Sequence, residues 1–220
     1  MLENFLTQLV NGTDYNVVLA DGEFPDSKAF LSLLTNAYTR ICCDGATKHL
    51  LKYNIEPSII IGDCDSLDES IVNRFNHKII KISEQNTNDL TKAINYLHEQ
   101  NLDNIIILGA TGLREDHTLA NIALLTGYNH QFKKVCMISQ YGIFTVHTER
   151  SEVACKIGQQ VSFFAINNNT KISCLELKWP LEDFILSNWS CGTLNQATAE
   201  NLHIEVNDTI LLYRSFEIKS

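Results

Sequence analysis

The sequence predicts an α/β fold in which a parallel sheet is flanked by helices and followed by a small antiparallel β-sandwich. Short apolar runs alternate with amphipathic segments along the first part of the chain, with short connections between them. From about Tyr141 helical periodicity is absent, and short strand-like runs are separated by Asn and Gly turns. We therefore expect an α/β domain over residues 1–143 and a β-sandwich over residues 144–220.

The first domain is expected to alternate strand and helix in a Rossmann-like order. Its strands are predicted at 17–20, 40–43, 58–61, 78–82, 104–108 and 135–138. Its helices are predicted at 27–38, 46–53, 68–75, around 90–97 and at 116–128. In the second domain, strands are predicted at 144–147, 161–164, 171–175, 202–206 and 210–213.

Composition excludes several functional classes. The chain has 220 residues and a formal net charge of −9, without a basic stretch, which argues against nucleic-acid binding. Its apolar runs are far shorter than a membrane span, and its start lacks the pattern of a signal peptide. Its seven cysteines form no Cys-x-x-Cys pair, so we expect reduced thiols in a cytoplasmic protein.

Two acids follow the predicted third strand. The apolar run Ile59-Ile60-Ile61 ends at Gly62, and Asp63 and Asp65 come next with one residue between them. If the backbone stays extended there, both carboxylates lie on one side and are close enough to share a divalent cation such as Mg²⁺. The alternative is a polar turn after a strand, since Asp, Gly and Ser all favour turns.

Polar residues follow the other predicted strands in the same way. Ligands of open α/β sheets bind beyond the carboxyl ends of the strands, so these residues are expected at one rim. A helix cap would explain one such acid, but acids after four strands make capping an insufficient explanation. The residues are Asp44, the Asp63 and Asp65 pair, Gln85 with Asp89, and Arg114 with Asp116.

Taken together, these motifs resemble the thiamine pyrophosphokinase (thiamine diphosphokinase) family over most of the chain. The combination of Gly-Asp-x-Asp-Ser and Gly-Ala-Thr-Gly-x-Arg-x-Asp-His is specific, whereas either element alone is weak. The matching stretches are 44–46, 62–66, Gln85 with Asp89 and Lys92, 109–117 with Leu119, Asn121 and 124–125, 177–181 and 192–195.

The resemblance implies a nucleotide-binding catalytic domain joined to a thiamine-binding β-sandwich, working as a homodimer. It implies transfer of pyrophosphate from ATP to the hydroxyl of thiamine, which gives thiamine diphosphate and AMP, with Mg²⁺ as the cofactor. This chemistry agrees with the acidic rim, because phosphoryl-type transfer depends mostly on positioning and on charge neutralisation.

The resemblance also implies roles for individual residues. Asp63, Asp65 and Asp89 are the expected metal ligands, and these three with Asp116 form the expected catalytic set. Helix capping is the alternative for Asp89 and Asp116, and an ordinary surface position is the alternative for Lys92 and Arg114. The expected ATP-binding residues are Asp44, Gln85, Asn88, Lys92 and Arg114, and the expected thiamine-binding residues are Trp189, Ser190, Gly192, Thr193 and Asn195.

Several positions depart from the family pattern. The family usually has Thr at the position of Asn88, often has Asp at that of Asn86, and has Ser at that of Leu194. Trp179, beside Pro180, is expected in the core rather than in the site.

Three other functions could use the same acids. An Asp-x-Asp phosphatase would use Asp63 as its nucleophile, and a glycosyltransferase would use the pair to bind a metal–nucleotide complex. Neither explains the loop from Gly109 to His117. A non-catalytic Mg–nucleotide sensor would keep the site without turnover, but it would be expected to have lost some of the acids.

Overall fold

The computed structural model describes residues 6, 9–10, 12–65 and 67–218 of the chain. Ser66, the last residue of the Gly-Asp-x-Asp-Ser motif, lies outside the described residues. The chain divides into two compact units, residues 1–139 and residues 140–220. Among the described residues, no helix is long and apolar enough to cross a membrane.

The first unit alternates strands and helices. Its strands are β1 (Asn16–Leu19), β2 (Thr39–Cys43), β3 (Ile59–Gly62), β4 (Ile79–Lys81), β5 (Ile105–Leu108) and β6 (Val135–Ile138). Its helices are α1 (Lys28–Asn36), α2 (Thr47–Leu51), α3 (Glu69–Phe75), α4 (Asp89–Glu99) and α5 (Glu115–Tyr128), with short 3-10 turns at Asp44–Ala46 and Asn76–Lys78.

The strands of this unit pair in parallel, in the order β6-β5-β1-β2-β3-β4. Strand order reverses at β1, which pairs with β2 on one side and with β5 on the other. Such a reversal opens a crevice beyond the carboxyl ends of the strands, where α/β proteins bind their ligands. The fold therefore predicts the location of a site before any side chain is considered.

Burial explains why these segments form strands. Every residue of β1, β5 and β6 is buried, as parallel strands covered on both faces require. Helix α4 packs on β1, β2 and β3 through its apolar face, which includes Leu90, Ala93, Ile94 and Leu97. The predicted helix-flanked parallel sheet is confirmed.

The second unit contains antiparallel strands. They are β7 (Gly142–His147), β8 (Ser151–Ala154), β9 (Gln159–Ala165), β10 (Lys171–Cys174), β11 (Leu181–Ile185), β12 (Asn195–Gln196), β13 (Asn201–Val206) and β14 (Ile210–Ile218). One layer has the order β12-β9-β14-β7, and the other has the order β11-β10-β13-β8. A single apolar core includes residues of both layers, such as Phe163 of β9 and Ile204 of β13, which confirms the predicted antiparallel domain.

Some sequence expectations differ from the structure. Strands β8, β11 and β12 were not predicted, because their residues do not form continuous apolar or alternating runs. The indole of Trp179 is 56% exposed, so the expectation that it lies in the core is wrong. Trp179 lies two residues after Leu177, which forms a β-bridge with Ala197, and the backbone of Trp179 is hydrogen-bonded to the buried side chain of Asn195. None of the seven cysteines, all of which lie among the described residues, is joined in a disulfide.

A histidine joins β7 to β8 in the second unit. Nε2 of His147 lies 2.9 Å from Oγ1 of Thr145, and Nδ1 lies 2.8 Å from Oγ of Ser151. Burial, and then the positive charge of Arg214, lower the pKa of His147 to about 4. Because the pKa in the unfolded chain is higher, protonation of this histidine favours unfolding.

The second unit is therefore expected to lose stability as the pH falls from about 6.5 towards about 4. Above the pKa that His147 has in the unfolded chain, the neutral histidine contributes its full stabilisation. Near pH 4, on the order of 1–3 kcal/mol of the free energy of unfolding is lost. Urea unfolding followed by tryptophan fluorescence measures this, since both tryptophans, Trp179 and Trp189, lie in this unit.

The matched comparison is His147→Gln against His77→Gln, which removes an exposed histidine of the first unit. His147→Gln is expected to reduce the dependence of the free energy of unfolding on pH. His77→Gln is expected to leave that dependence unchanged. An unchanged slope in His147→Gln would contradict the role given to this side chain.

Candidate active site

A cavity of about 520 Å³ lies beyond the carboxyl ends of the parallel strands in the first unit. Residues from the loops after β1, β2, β3, β4 and β5 reach it, as expected at the reversal of strand order. Its walls carry both acids and bases. The polar and charged lining residues are Asp21, Asp44, Asp63, Gln85, Thr87, Asn88, Asp89, Lys92, Arg114, His117 and Asn121.

Asp44, directly after β2, is buried and connects two loops. Its Oδ1 accepts a hydrogen bond from the backbone N–H of Gly45 at 2.6 Å, and its Oδ2 accepts one from the N–H of Cys64 at 3.1 Å. Burial raises the pKa of Asp44, and the nearby carboxylates of Asp89 and Asp63 raise it further. The side chain both orders its own loop and contributes negative charge to the cavity.

The two acids after β3 point to different places. Cys64 between them has a φ of 65°, so the extended backbone that would place both carboxylates on one side is not formed here. The hydrogen bond from the N–H of Cys64 to Asp44 accompanies this turn. Asp63 lines the cavity, whereas the exposed Asp65 carboxylate lies 3.8 Å from Nζ of Lys81. The metal-binding role of this pair stays a prediction.

Asp63 is held by neighbours that favour its charged form. The backbone N–H of Asp65 lies 3.2 Å from Oδ1 of Asp63, and Nε2 of Gln85 lies 3.5 Å from Oδ2. These contacts, in that order of importance, lower the pKa of Asp63. The carboxylate is therefore ionised and available to a cation over the whole neutral range.

The first turn of α4 brings an acid and a base together. Nζ of Lys92 lies 2.9 Å from Oδ1 of Asp89, and the Lys92 side chain is only 5% exposed. Burial lowers the pKa of Lys92, but the hydrogen bond and the charge of Asp89 outweigh burial, so the net shift is upward. Lys92 is thus a fixed cation in the cavity wall rather than an ordinary solvated lysine.

Arg114 and Asp116, near the start of α5, form an exposed ion pair. Nε and Nη2 of Arg114 lie 3.1 Å and 2.6 Å from the two oxygens of Asp116. The Arg114 hydrogen bonds lower the pKa of Asp116 to about 2. Arg114 lines the cavity and Asp116 is not among its lining residues, so Asp116 holds the guanidinium from outside.

The loop between β5 and α5 approaches the loop after β1 closely. Gly109 has a φ of 64°, and a Cβ on it would lie 2.5 Å from the backbone oxygen of Ala20. The N–H of Gly22 donates to the oxygen of Gly109 at 2.6 Å. Glycine is therefore required here by the tight turn, whatever the loop binds.

The five predicted thiamine-binding residues lie in the second unit, between β11 and β12 and on β12. The indole N–H of Trp189 donates to the oxygen of Ala165 at 3.1 Å, and its ring is 39% exposed. Asn195 is buried, with its amide bonded to both the N–H and the oxygen of Trp179. Ser190, Gly192 and Thr193 form the turn between them, in which Oγ1 of Thr193 donates to the oxygen of Ser190.

Four polar residues that line the cavity, Asp21, Thr87, His117 and Asn121, were not predicted as site residues. Asp21 follows β1 as the other acids follow their strands, and that pattern could have identified it; its carboxylate lies 3.5 Å from Nε2 of His49. His117 and Asn121 belong to the recognised motif, but no role was assigned to them. Asn121 lies in the second turn of α5, and its place in that motif is the signal that could have identified it.

The donors in the cavity fit a hard divalent cation. Asp44, Asp63 and Asp89 come from three loops, and their charges act on one another, which is costly without a neutralising cation. Among the described residues, no three His, Cys, Asp or Glu side chains form a complete metal-binding group. Mg²⁺ commonly takes only one or two carboxylates and completes its shell with water and substrate phosphates.

Two family models match the chain. The thiamin pyrophosphokinase catalytic domain matches residues 30–137, and the thiamin pyrophosphokinase substrate-binding domain matches residues 142–213. A comparison with curated protein sequences gave no match.

Solved structures share the fold. The thiamine pyrophosphokinase of Bacillus subtilis is 23% identical with a TM-score of 0.76, covering 93% of this chain and 100% of that one. The Candida albicans enzyme is 18% identical with a TM-score of 0.81, covering 96% and 91%. The yeast enzyme is 18% identical with a TM-score of 0.79, covering 96% and 89%. The chain belongs to the thiamin pyrophosphokinase family and is an enzyme that pyrophosphorylates thiamine.

Proposed function

We propose that the cavity of the first unit binds Mg–ATP and that its side chains carry out transfer of pyrophosphate to thiamine. The observation that carries this proposal is that Asp44, Asp63 and Asp89 line the same cavity as Lys92 and Arg114. Acidic side chains can hold a metal ion, and basic side chains are themselves fixed cations. The negative charge of a polyphosphate needs both. The family match does not favour the phosphatase, glycosyltransferase or sensor alternatives.

Mg²⁺ would be held by Asp63 and Asp89, with Asp44 buried beside them and with Asp65 as a further predicted ligand. When bound, Mg²⁺ would neutralise the polyphosphate and polarise its oxygens. The raised pKa of the buried Asp44 supports the need for a cation at this position, because neighbouring acids disfavour its charged form.

The reaction transfers the pyrophosphate group of ATP to the hydroxyl of thiamine. The hydroxyl oxygen of thiamine forms a bond to the β-phosphorus of ATP, the bond from that phosphorus to the α,β-bridging oxygen breaks, and AMP leaves with that oxygen. The hydroxyl proton is released. Lys92 is fixed by Asp89, and Arg114 is fixed by Asp116, so both cations are oriented before substrate binds. Pre-oriented charge is the main contribution that a protein makes to this chemistry.

Gln85 and Asn88 complete the predicted ATP-binding set. Both line the cavity, and the amide of Gln85 reaches towards Asp63 at its edge. Asp116 also belongs to the predicted catalytic set, and its contact with Arg114 supports a further role in orienting that guanidinium.

Thiamine is proposed to use the segment from Trp189 to Asn195 of the second unit. The hydrogen bond to Ala165 and the edge contact with Phe164, at 5.9 Å between ring centroids, fix the indole of Trp189. A fixed aromatic face suits the cationic thiazolium ring of thiamine. We also propose a homodimer, supported by exposed apolar side chains of the second unit, and a cytoplasmic location, supported by seven cysteines that are not joined in disulfides.

Asp63→Asn is expected to lower kcat/KM by about 100-fold or more and to raise the Mg²⁺ concentration needed for half-maximal activity. The amide keeps the shape of the side chain but removes the charge that faces the metal. Chromatographic measurement of AMP and thiamine diphosphate, which should form in equal amounts, tests this expectation.

The control is Asp68→Asn, which changes an exposed acid that makes no side-chain cap to α3. It should keep activity close to that of the unaltered chain. Asp65→Asn, measured in parallel, tests the predicted second member of the pair. Retention of more than a third of the activity in Asp63→Asn would argue against the proposed metal site.

Trp189→Ala is expected to raise the KM for thiamine about tenfold, because an aromatic face contributes up to about 2 kcal/mol to binding a desolvated cation. The KM for ATP should change less than about twofold, since ATP binds in the first unit. Trp179→Ala, which removes a more exposed indole, is the control. Equal effects of the two substitutions, or no effect of Trp189→Ala, would refute the assignment.

A further inference from the structure

Two asparagines connect the helices that follow β4 and β5. Asn88 is the N-cap of α4 and is adjacent to Asp89, a proposed metal ligand. Asn121 lies on α5 and is 8% exposed, so both of its polar ends need partners within the protein. Both side chains line the cavity.

Three hydrogen bonds run in one direction through these side chains. The N–H of Thr91 donates to Oδ1 of Asn88 at 2.9 Å, and Nδ2 of Asn88 donates to Oδ1 of Asn121 at 3.0 Å. Nδ2 of Asn121 then donates to the backbone oxygen of Ala110 at 2.8 Å. Reversing the Asn121 amide would place its oxygen against the Ala110 carbonyl, which cannot donate, so the orientation is determined by the partners.

These bonds join the two sides of the cavity. At one end, the first turn of α4 carries Asp89 and Lys92. At the other end, Ala110 belongs to the loop that leads to Arg114. The hydroxyl of Tyr128, in the last turn of α5, lies 2.7 Å from Oγ1 of Thr91 and supports the same turn.

We propose that Asn121 is a positioning residue that, through Asn88, sets the separation between the acidic side of the cavity at Asp89 and the basic side at Arg114. This inference rests on the proposed function, in which both sides hold the same polyphosphate. Because the transfer depends on placing charges correctly, a small displacement of either side lowers the rate strongly. Asn88 thus has a second role beside its predicted contact with ATP, because its bond to Asn121 also orients α4.

The test is a double-mutant cycle on Asn121→Ala and Asn88→Ser. Serine keeps a good N-cap for Thr91 but cannot reach Asn121, so the helix is retained while the link is lost. Each single variant is expected to lower kcat at least about tenfold with the KM for thiamine within about twofold. The kcat of the double variant should be no lower than that of the worse single variant, because both substitutions break the same hydrogen bond between Asn88 and Asn121.

Asn121→Asp gives a second, isosteric measurement. The carboxylate can still accept from Asn88 but cannot donate to Ala110, so a decrease in kcat similar to that of Asn121→Ala is expected. Asn36→Ala removes a helix asparagine whose amide bonds an exposed Ser32 at 3.1 Å, and it should have no effect. Unchanged kcat in either single variant, or effects that multiply in the double variant, would overturn the proposal.

A binding measurement separates this proposal from the proposed function. Calorimetric titration with Mg²⁺ and α,β-methylene ATP, in which the scissile bridge is not cleaved, needs no turnover. The affinity for α,β-methylene ATP in the presence of Mg²⁺ is expected to fall at least about tenfold in each single variant, and to fall no further in the double variant. If the unaltered chain makes no thiamine diphosphate, the proposed function fails; if it is active while affinity and kcat are unchanged in the variants, the role of Asn121 fails.

Discussion

A buried carboxylate surrounded by other carboxylates is the constraint on which the site depends. Asp44 is buried, accepts two backbone hydrogen bonds, and lies where the charges of Asp63 and Asp89 raise its pKa. Burying like charges together costs free energy, and a bound cation, as proposed for this cavity, would reduce that cost. Lys92, itself buried, offsets part of the charge, and a bound divalent metal ion would offset more of it.

The architecture explains how these groups come together from distant positions in the chain. Each strand of a parallel sheet ends at the same edge, so residues as far apart in sequence as Asp21 and Arg114 line one cavity. The apolar strands supply the stability, and the loops after them are free to carry charge. The second unit has a different core and provides the aromatic side chain proposed for thiamine.

Much of the fold and part of the candidate site could be predicted from the sequence, because they follow from local patterns. Apolar runs that alternate with amphipathic segments predict the strands and helices of the first unit. Acids placed after the strands predict a binding site beyond the carboxyl ends of the strands. Strand β11, with three exposed or half-exposed charged and aromatic residues in its middle, has no such pattern and was missed. The exposure of Trp179 was also missed, because neighbouring prolines and aromatics do not reveal which face of a chain meets the core.

Details of the site depend on contacts that no local pattern encodes. The positive φ of Cys64, which separates Asp63 from Asp65, accompanies a hydrogen bond to Asp44, twenty residues earlier. The link between Asn88 and Asn121 spans thirty-three residues and depends on the packing of two helices. Both features require the folded chain, in which the orientation of each amide and carboxylate is set by partners from other loops.

We propose that Asp63 and Asp89 hold a divalent cation together with the polyphosphate of ATP. A crystal structure with Mn²⁺ and α,β-methylene ATP tests it directly, because anomalous scattering locates the metal. We expect Mn²⁺ in direct contact with at least one oxygen of Asp63 and one of Asp89, and with the phosphates. A metal bound elsewhere, or one that contacts only phosphate and water, would contradict the account.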